Sequence, residues 1–180
     1  MSSNVITAGP SAGKSSVIRE LSARGYRTAP EGARIVIDQA ISEGRDIDEW
    51  RTNEPQDYQN AVIEADKRIQ ASIPDDETVF MDRSIADNIA YARLTDRSVP
   101  DEVYELCEDT YDTVFLLEQI PFEDDYARTE DEAMATDVHD ELRYVYQELG
   151  YTVFDVQLMP VDMRADYIEH VVQNGAPAIH

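Results

Sequence analysis

The sequence predicts an α/β domain built on a five-stranded, mostly parallel sheet with helices on both faces. Three observations carry this. Short apolar runs alternate with longer stretches of helical periodicity. The first run ends in a small-residue turn that leads straight into a helical pattern. Hydrophobic residues make up 42% of the 180-residue chain, enough for one buried core in a chain too short for two domains. The expected organisation is therefore a single domain over 1–180, with a core over about 4–173 and a tail over 174–180.

Taken in order, Asn4-Val5-Ile6-Thr7-Ala8 reads as a short buried strand, followed by a helix carrying Val17, Ile18 and Leu21. Gly25 stands where a helix C-cap is expected, and Tyr26 to Pro30 is a second strand. Helical patterns occupy about Gly32 to Ser42 and Asp57 to Ser72, with Trp50 a packing anchor in the charged stretch between them. Pro74-Asp75-Asp76 turns the chain into a third strand, Thr78 to Met81. Helices follow over Ile85 to Leu94 and Asp101 to Thr110, and Thr113 to Leu117 is the most apolar strand. A long helix then presents Val138, Leu142, Val145 and Leu149 on one stripe before Gly150 ends it. Thr152 to Val156 is the fifth strand, and Val161 to Gln173 closes as a helix.

Composition removes several function classes. Asp and Glu total 38 against 15 Lys and Arg, a formal charge of −23 that argues against a duplex-binding face and an anionic membrane surface. There is neither a membrane-length apolar run nor a signal-peptide pattern, so a soluble, cytoplasmic protein is expected. Cys107 alone excludes an intrachain disulfide, and His139, His170 and His180 lack metal-ligand spacing. Thirteen of the basic residues are Arg and only Lys14 and Lys67 are Lys. With apolar residues abundant, this composition fits a folded domain under a solvated acidic shell of halophilic type, its self-repulsion screened by salt.

Ala8-Gly9-Pro10-Ser11-Ala12-Gly13-Lys14-Ser15-Ser16 carries Walker A spacing, with Ala8 in the usual first-glycine place. Glycines let backbone N–H groups turn toward phosphate oxygens, and the following helix adds its positive N-terminal dipole. Lys14 is placed to reach the β- and γ-phosphates of a nucleoside triphosphate, and Ser15 to ligate Mg²⁺. In a chain almost purged of lysine, one of the two survivors stands where a phosphate needs a point charge.

Open α/β sheets bind ligands at the carboxyl ends of their strands, so the residues following each strand are the next candidates. Glu31 and then Arg34 follow the second strand; Asp82, Arg83 and Ser84 follow the third. Asp82 suits Mg²⁺, although either it or Ser84 would also cap the next helix. Glu31 suits a base for an acceptor hydroxyl or, more plainly, a first-turn helix glutamate. Arg34 and Arg83 suit an acceptor or the transferring phosphoryl group, and equally a surface ion pair. Arg128, in the polar segment Pro121 to Glu130, suits a loop that closes over a triphosphate, while Thr129 and Glu132 match a capping box.

From about Val5 to Val172 the chain resembles the AAA-type, ATPase-like P-loop NTPase domains, the family that includes the ribosylnicotinamide kinase part of NadR. The loop from Ala8 to Ser15, Pro30-Glu31-Gly32-Ala33-Arg34, Met81-Asp82-Arg83-Ser84, Ala90-Tyr91-Ala92-Arg93, Phe115-Leu116-Leu117 and Arg128-Thr129-Glu130-Asp131 carry the resemblance. Deoxynucleoside kinases are similar in their glutamate after the second strand and their acidic-Arg-Ser triplet after the third. The departures are Ala8 and Gly32, the latter in a place where the family often has Ala. The resemblance implies a P-loop NTPase fold of nucleoside-kinase type and phosphoryl transfer from ATP to a small acceptor, with Glu31 as base and Asp82 near Mg²⁺. A nucleotide-dependent switch or ATPase working through a protein partner is the alternative.

Overall fold

The computed structural model describes residues 2–120 and 129–174, with side chains described outside 129–134. β1 (Ser3–Thr7) lies at the centre of a five-stranded sheet ordered β2-β3-β1-β4-β5, and every pairing is parallel. The other strands are β2 (Arg27–Ala29), β3 (Val79–Asp82), β4 (Thr113–Leu117) and β5 (Val153–Val156). α1 (Lys14–Ala23) and α8 (Val161–Asn174) pack together. α2 (Gly32–Ser42), α3 (Ile47–Asn53) and α4 (Pro55–Ala71) form a second group, and α5 (Asp87–Leu94), α6 (Asp101–Glu105) and α7 (Thr129–Glu148) complete the fold.

The strand pleat sorts the core. Val5, Val79, Met81, Val114 and Leu116 point into one apolar layer, against Ile89 of α5 and Val138, Leu142 and Val145 of α7. Their alternating neighbours Ile6, Phe80, Phe115 and Leu117 point the other way, onto Val17 and Leu21 of α1 and Ile168 of α8. This period of two, buried on both faces, is what an all-parallel sheet demands. Each fully buried Phe or Leu contributes about 1.5–3 kcal/mol over exposure.

Two elements differ from the sequence reading. α3 forms inside Asp46 to Glu54, where the sequence shows only a charged stretch around Trp50. Asp46 caps it by accepting from the Glu49 amide at 2.9 Å, and seven residues are too few to display an apolar stripe. Trp50 is the anchor expected of it: buried, its indole donates to Asp57 at 2.9 Å, with Arg45 stacked 3.5 Å above the ring. α6 stops at Glu105 rather than near Thr110, and the chain then turns through Asp109 at φ 48°. The closing loop with Arg128 lies outside the described residues, as do the Thr129 and Glu132 side chains and tail residues 175–180.

Candidate active site

The loop after β1 is shaped by its backbone. Gly13 sits at φ 76° as the N-cap of α1 and provides no side-chain cap, so the Lys14 and Ser15 N–H groups remain available to a ligand while that of Ser16 closes on the Gly13 carbonyl at 3.0 Å. Ala8 is fully buried and its methyl joins the α1–α8 layer, which explains why the first-glycine place tolerates a Cβ here. From α8, the buried Arg164 donates to the Ala12 carbonyl at 2.7 Å and braces the loop from behind. The residues from Gly9 to Ser16 thus form one continuous turn into α1, with Ser15 exposed at its first turn.

Lys14 is buried at the head of α1 and reaches across to two other strand ends. Its ammonium is paired with Asp82 at the end of β3 and lies 3.7 Å from Glu31 after β2. Glu31 in turn stands 3.1 Å from Arg83 Nε, an ion-pair distance without hydrogen-bond alignment. Four residues expected at the site from separate strand ends therefore meet in one crevice. Arg34 does not join them: it is exposed on α2.

Arg83 takes a left-handed backbone at φ 68°, with its amide donating to the Ile6 carbonyl of β1 at 3.0 Å. Such a conformation costs a non-glycine residue on the order of 1 kcal/mol or more and persists only where its surroundings enforce it. Here Asp87 is the enforcing group. It accepts from Arg83 Nη1 at 3.0 Å, from Thr7 at 2.5 Å, from Tyr146 at 2.6 Å and from the Ser84 amide at 3.1 Å. Burial works against the Arg83 charge, but Asp87, Tyr91 and Glu31 outweigh it and hold the guanidinium above its ordinary range. Ser84 rather than Asp82 supplies the cap of the turn entering α5, accepting from the Ala86 amide at 3.1 Å, so Asp82 keeps its carboxylate for Lys14.

Behind this crevice a cavity of about 440 Å³ runs between α2, α3, α4 and α5. Glu31 and Arg83 form its inner end. Its polar wall is a chain of buried groups: Gln59 donates to Asn88 at 2.8 Å, and Asn88 donates to Asp66 at 2.6 Å. Asp66 also accepts from the Gly32 amide at 3.1 Å. Burial pushes the Asp66 carboxyl up to about 7, with Asn88 opposing that shift and the nearby Asp87 charge adding to it. Gly32 is explained by the same contact, because a Cβ there would come within 2.7 Å of Asp66 Cγ. Tyr58, Val62 and Tyr91 supply the apolar and aromatic lining.

A model of the AAA domain matches residues 4–164. The chain belongs to the AAA domain family. Solved structures agree on the fold of this AAA domain as a P-loop NTPase. NadR protein in complex with NR is 18% identical over 99% of this chain and 52% of its own, with a TM-score of 0.64, so the AAA domain spans about half of that protein. Thymidylate kinase from Ehrlichia chaffeensis is 13% identical over 96% of this chain and 98% of its own, with a TM-score of 0.64. Deoxyadenosine kinase from M. mycoides is 15% identical over 95% of this chain and 98% of its own, with a TM-score of 0.62. No match is found among curated proteins.

Several site residues of this AAA domain escape sequence reasoning. Asp87 carries a legible trace, since Ser84 and Asp87 have capping-box spacing. Asp66, Asn88 and Gln59 carry none, being polar residues at helix positions that read as solvated. Arg164 is likewise indistinguishable from a surface arginine until α8 is laid on α1.

Proposed function

We propose that this AAA domain is a Mg²⁺-dependent, ATP-binding phosphotransferase acting on a nucleoside-like small molecule. The observation that carries the reading is the junction between the β1 loop and the 440 Å³ cavity, where Lys14, Glu31, Asp82 and Arg83 converge. An ATPase or switch working through a protein partner needs the loop and the metal site but has no use for an acceptor cleft beside them, so the cavity favours transfer. Its size falls within the about 300–1,000 Å³ range of small-molecule sites.

The donor set suits magnesium. Among the described residues no three His, Cys, Asp or Glu side chains gather as a self-sufficient metal site. Mg²⁺ in such sites takes one or two protein oxygens and completes its shell with phosphate oxygens and water. Ser15 and Asp82 are the residues that would hold it. When bound it neutralises charge on the β- and γ-phosphates.

The chain's own residues do the rest. The N–H groups between Gly9 and Ser15, of which Pro10 has none, and the α1 dipole bind the phosphates, and Lys14 supplies the point charge. Arg83, held rigid by Asp87, faces the transferring group, and Arg128 is assigned the closing role. Glu31 takes the proton of the acceptor hydroxyl as its oxygen bonds the γ-phosphorus. The bond from that phosphorus to the β-bridging oxygen breaks, and ADP leaves. The test is γ-phosphoryl transfer from ATP to a panel of nucleosides and pyridine ribosides. Glu31→Gln is expected to keep near-normal ATP affinity while transfer falls about 10²-fold or more. ATP hydrolysis at one rate with or without every acceptor would establish the ATPase instead.

A further inference from the structure

The cavity is lined by three arginines and three carboxylates, and their uneven pairing identifies the acceptor further. Among the cavity's arginines, Arg83 is matched by Glu31 and Asp87 at the inner end. Arg51 of α3 and Arg97 of the turn after α5 also line the cavity, and among the described residues neither pairs with a carboxylate. The contrast with their neighbours in the chain is direct. Arg45 lies against both Glu54 and Asp57, and Arg93 against both Glu141 and Glu148. Among the described residues Arg19, Arg34, Arg68 and Arg164 also lack an ion pair, but of the whole unpaired set only Arg51 and Arg97 line this cavity, and their charge is available to its contents.

Arg51 is positioned through its side chain and Arg97 through its backbone. Arg51 donates to the Tyr58 hydroxyl at 2.9 Å and lies 4.8 Å over the Tyr58 ring. Arg97 follows Asp96 at φ 50°, and its amide closes on the Ala92 carbonyl at 2.8 Å. Gln56 of α4 anchors the next residue by donating to the Ser98 carbonyl at 3.0 Å. Two arginines from separate elements thus line the cavity, Arg51 held through its guanidinium and Arg97 through its backbone, and both keep N–H groups to spare.

We propose that the acceptor carries a phosphomonoester remote from the hydroxyl that is phosphorylated. This rests on the transfer reading above. Glu31 sits at the Lys14 end, and a base there serves a hydroxyl rather than an anion, so the anionic group lies at the other end with Arg51 and Arg97. Two arginine forks match the three oxygens and double charge of a phosphate better than the single plane of a carboxylate.

The test compares nucleosides, their 3′-monophosphates and their 5′-monophosphates, by calorimetric binding in the presence of a non-hydrolysable ATP analogue and by transfer from ATP. A nucleoside 3′-monophosphate leaves the 5′-hydroxyl free and is expected to bind at least tenfold tighter than its nucleoside. Arg97→Gln and Arg51→Gln should each raise its Kd and KM about tenfold or more, with a smaller change in kcat, in variants whose melting temperature stays near wild type. Equal binding of nucleoside and 3′-monophosphate overturns the proposal, as does tighter binding that neither variant weakens. A 5′-monophosphate that outperforms both and is converted to its 5′-diphosphate also overturns it, because the anion would then sit at the Lys14 end. Arginine-dependent 3′-monophosphate binding without transfer would uphold the anion site and defeat the phosphotransferase reading. Transfer to neutral nucleosides with unchanged KM in Arg97→Gln would do the reverse.

Discussion

The two halves of the site are built by different means. The phosphate half is one uninterrupted segment: β1, a turn through Gly13, and the head of α1. The half proposed to take the acceptor is assembled from α2, α3, α4 and α5, and its polar wall joins Gln59, Asp66, Asn88 and Gly32 across three of those helices. A contiguous site depends on local backbone geometry, whereas an assembled one depends on how well helices are held against each other. The first should therefore fail at a single side chain and the second through packing and protonation.

The largest effect expected is on the contiguous half. Lys14→Ala should abolish most ATP-dependent stabilisation, which for the wild type at a thousandfold excess over Kd amounts to about 4 kcal/mol. Reading the ligand-induced shift in melting temperature separates this from any change in the unliganded protein, where Glu31 and Asp82 lose the ammonium between them. An undiminished shift would remove the loop from the nucleotide site.

In the assembled half, Asp66 should make stability depend on pH. Its folded value near 7 lies above the ordinary aspartate value of about 3.9, so between those limits the folded state binds a proton that the unfolded state has released. Stability from this group is then complete below about pH 4 and is lost as pH rises toward 7. Urea midpoints at pH 5 and pH 8 should show the wild type losing on the order of 2–4 kcal/mol more than Asp66→Asn across that window. Parallel curves would show that the buried carboxyl does not titrate there.

Gly32→Ala should have a smaller effect. An alanine removes backbone freedom from the unfolded chain, a gain of about 0.4–1 kcal/mol where the site has room. Here the added Cβ meets Asp66 and displaces its bond to the Gly32 amide, and overpacking of that kind costs about 1–3 kcal/mol. The loss should win, lowering the melting temperature while leaving the ATP-induced shift intact. A lowered ATP shift would mean that the two halves are mechanically coupled.

Much of the contiguous half can be read from the chain. The Walker spacing places Lys14, and the rule that ligands gather at strand carboxyl ends selects Glu31, Asp82 and Arg83 from many charged residues. The five apolar runs likewise announce the parallel sheet, because a strand buried on both faces must be apolar throughout. These signals are local: each lies in neighbouring residues whose dihedrals and burial are set by periods of two or 3.6.

Tertiary contact governs the remainder. That Ser84 and not Asp82 accepts from the turn into α5, and that Arg83 accepts a left-handed backbone, follow from where β1, α5 and α7 meet. Asp66 and Asp87 look alike in a sequence holding 38 acidic residues, yet one is lifted to about 7 by burial while the other gathers four donors. Periodicity reports which face of a helix is apolar but not which polar side chain on another helix will stand opposite. The physical reason is distance along the chain. Charge, burial and hydrogen-bond partners depend on groups brought together from tens of residues away, and no local pattern encodes that meeting.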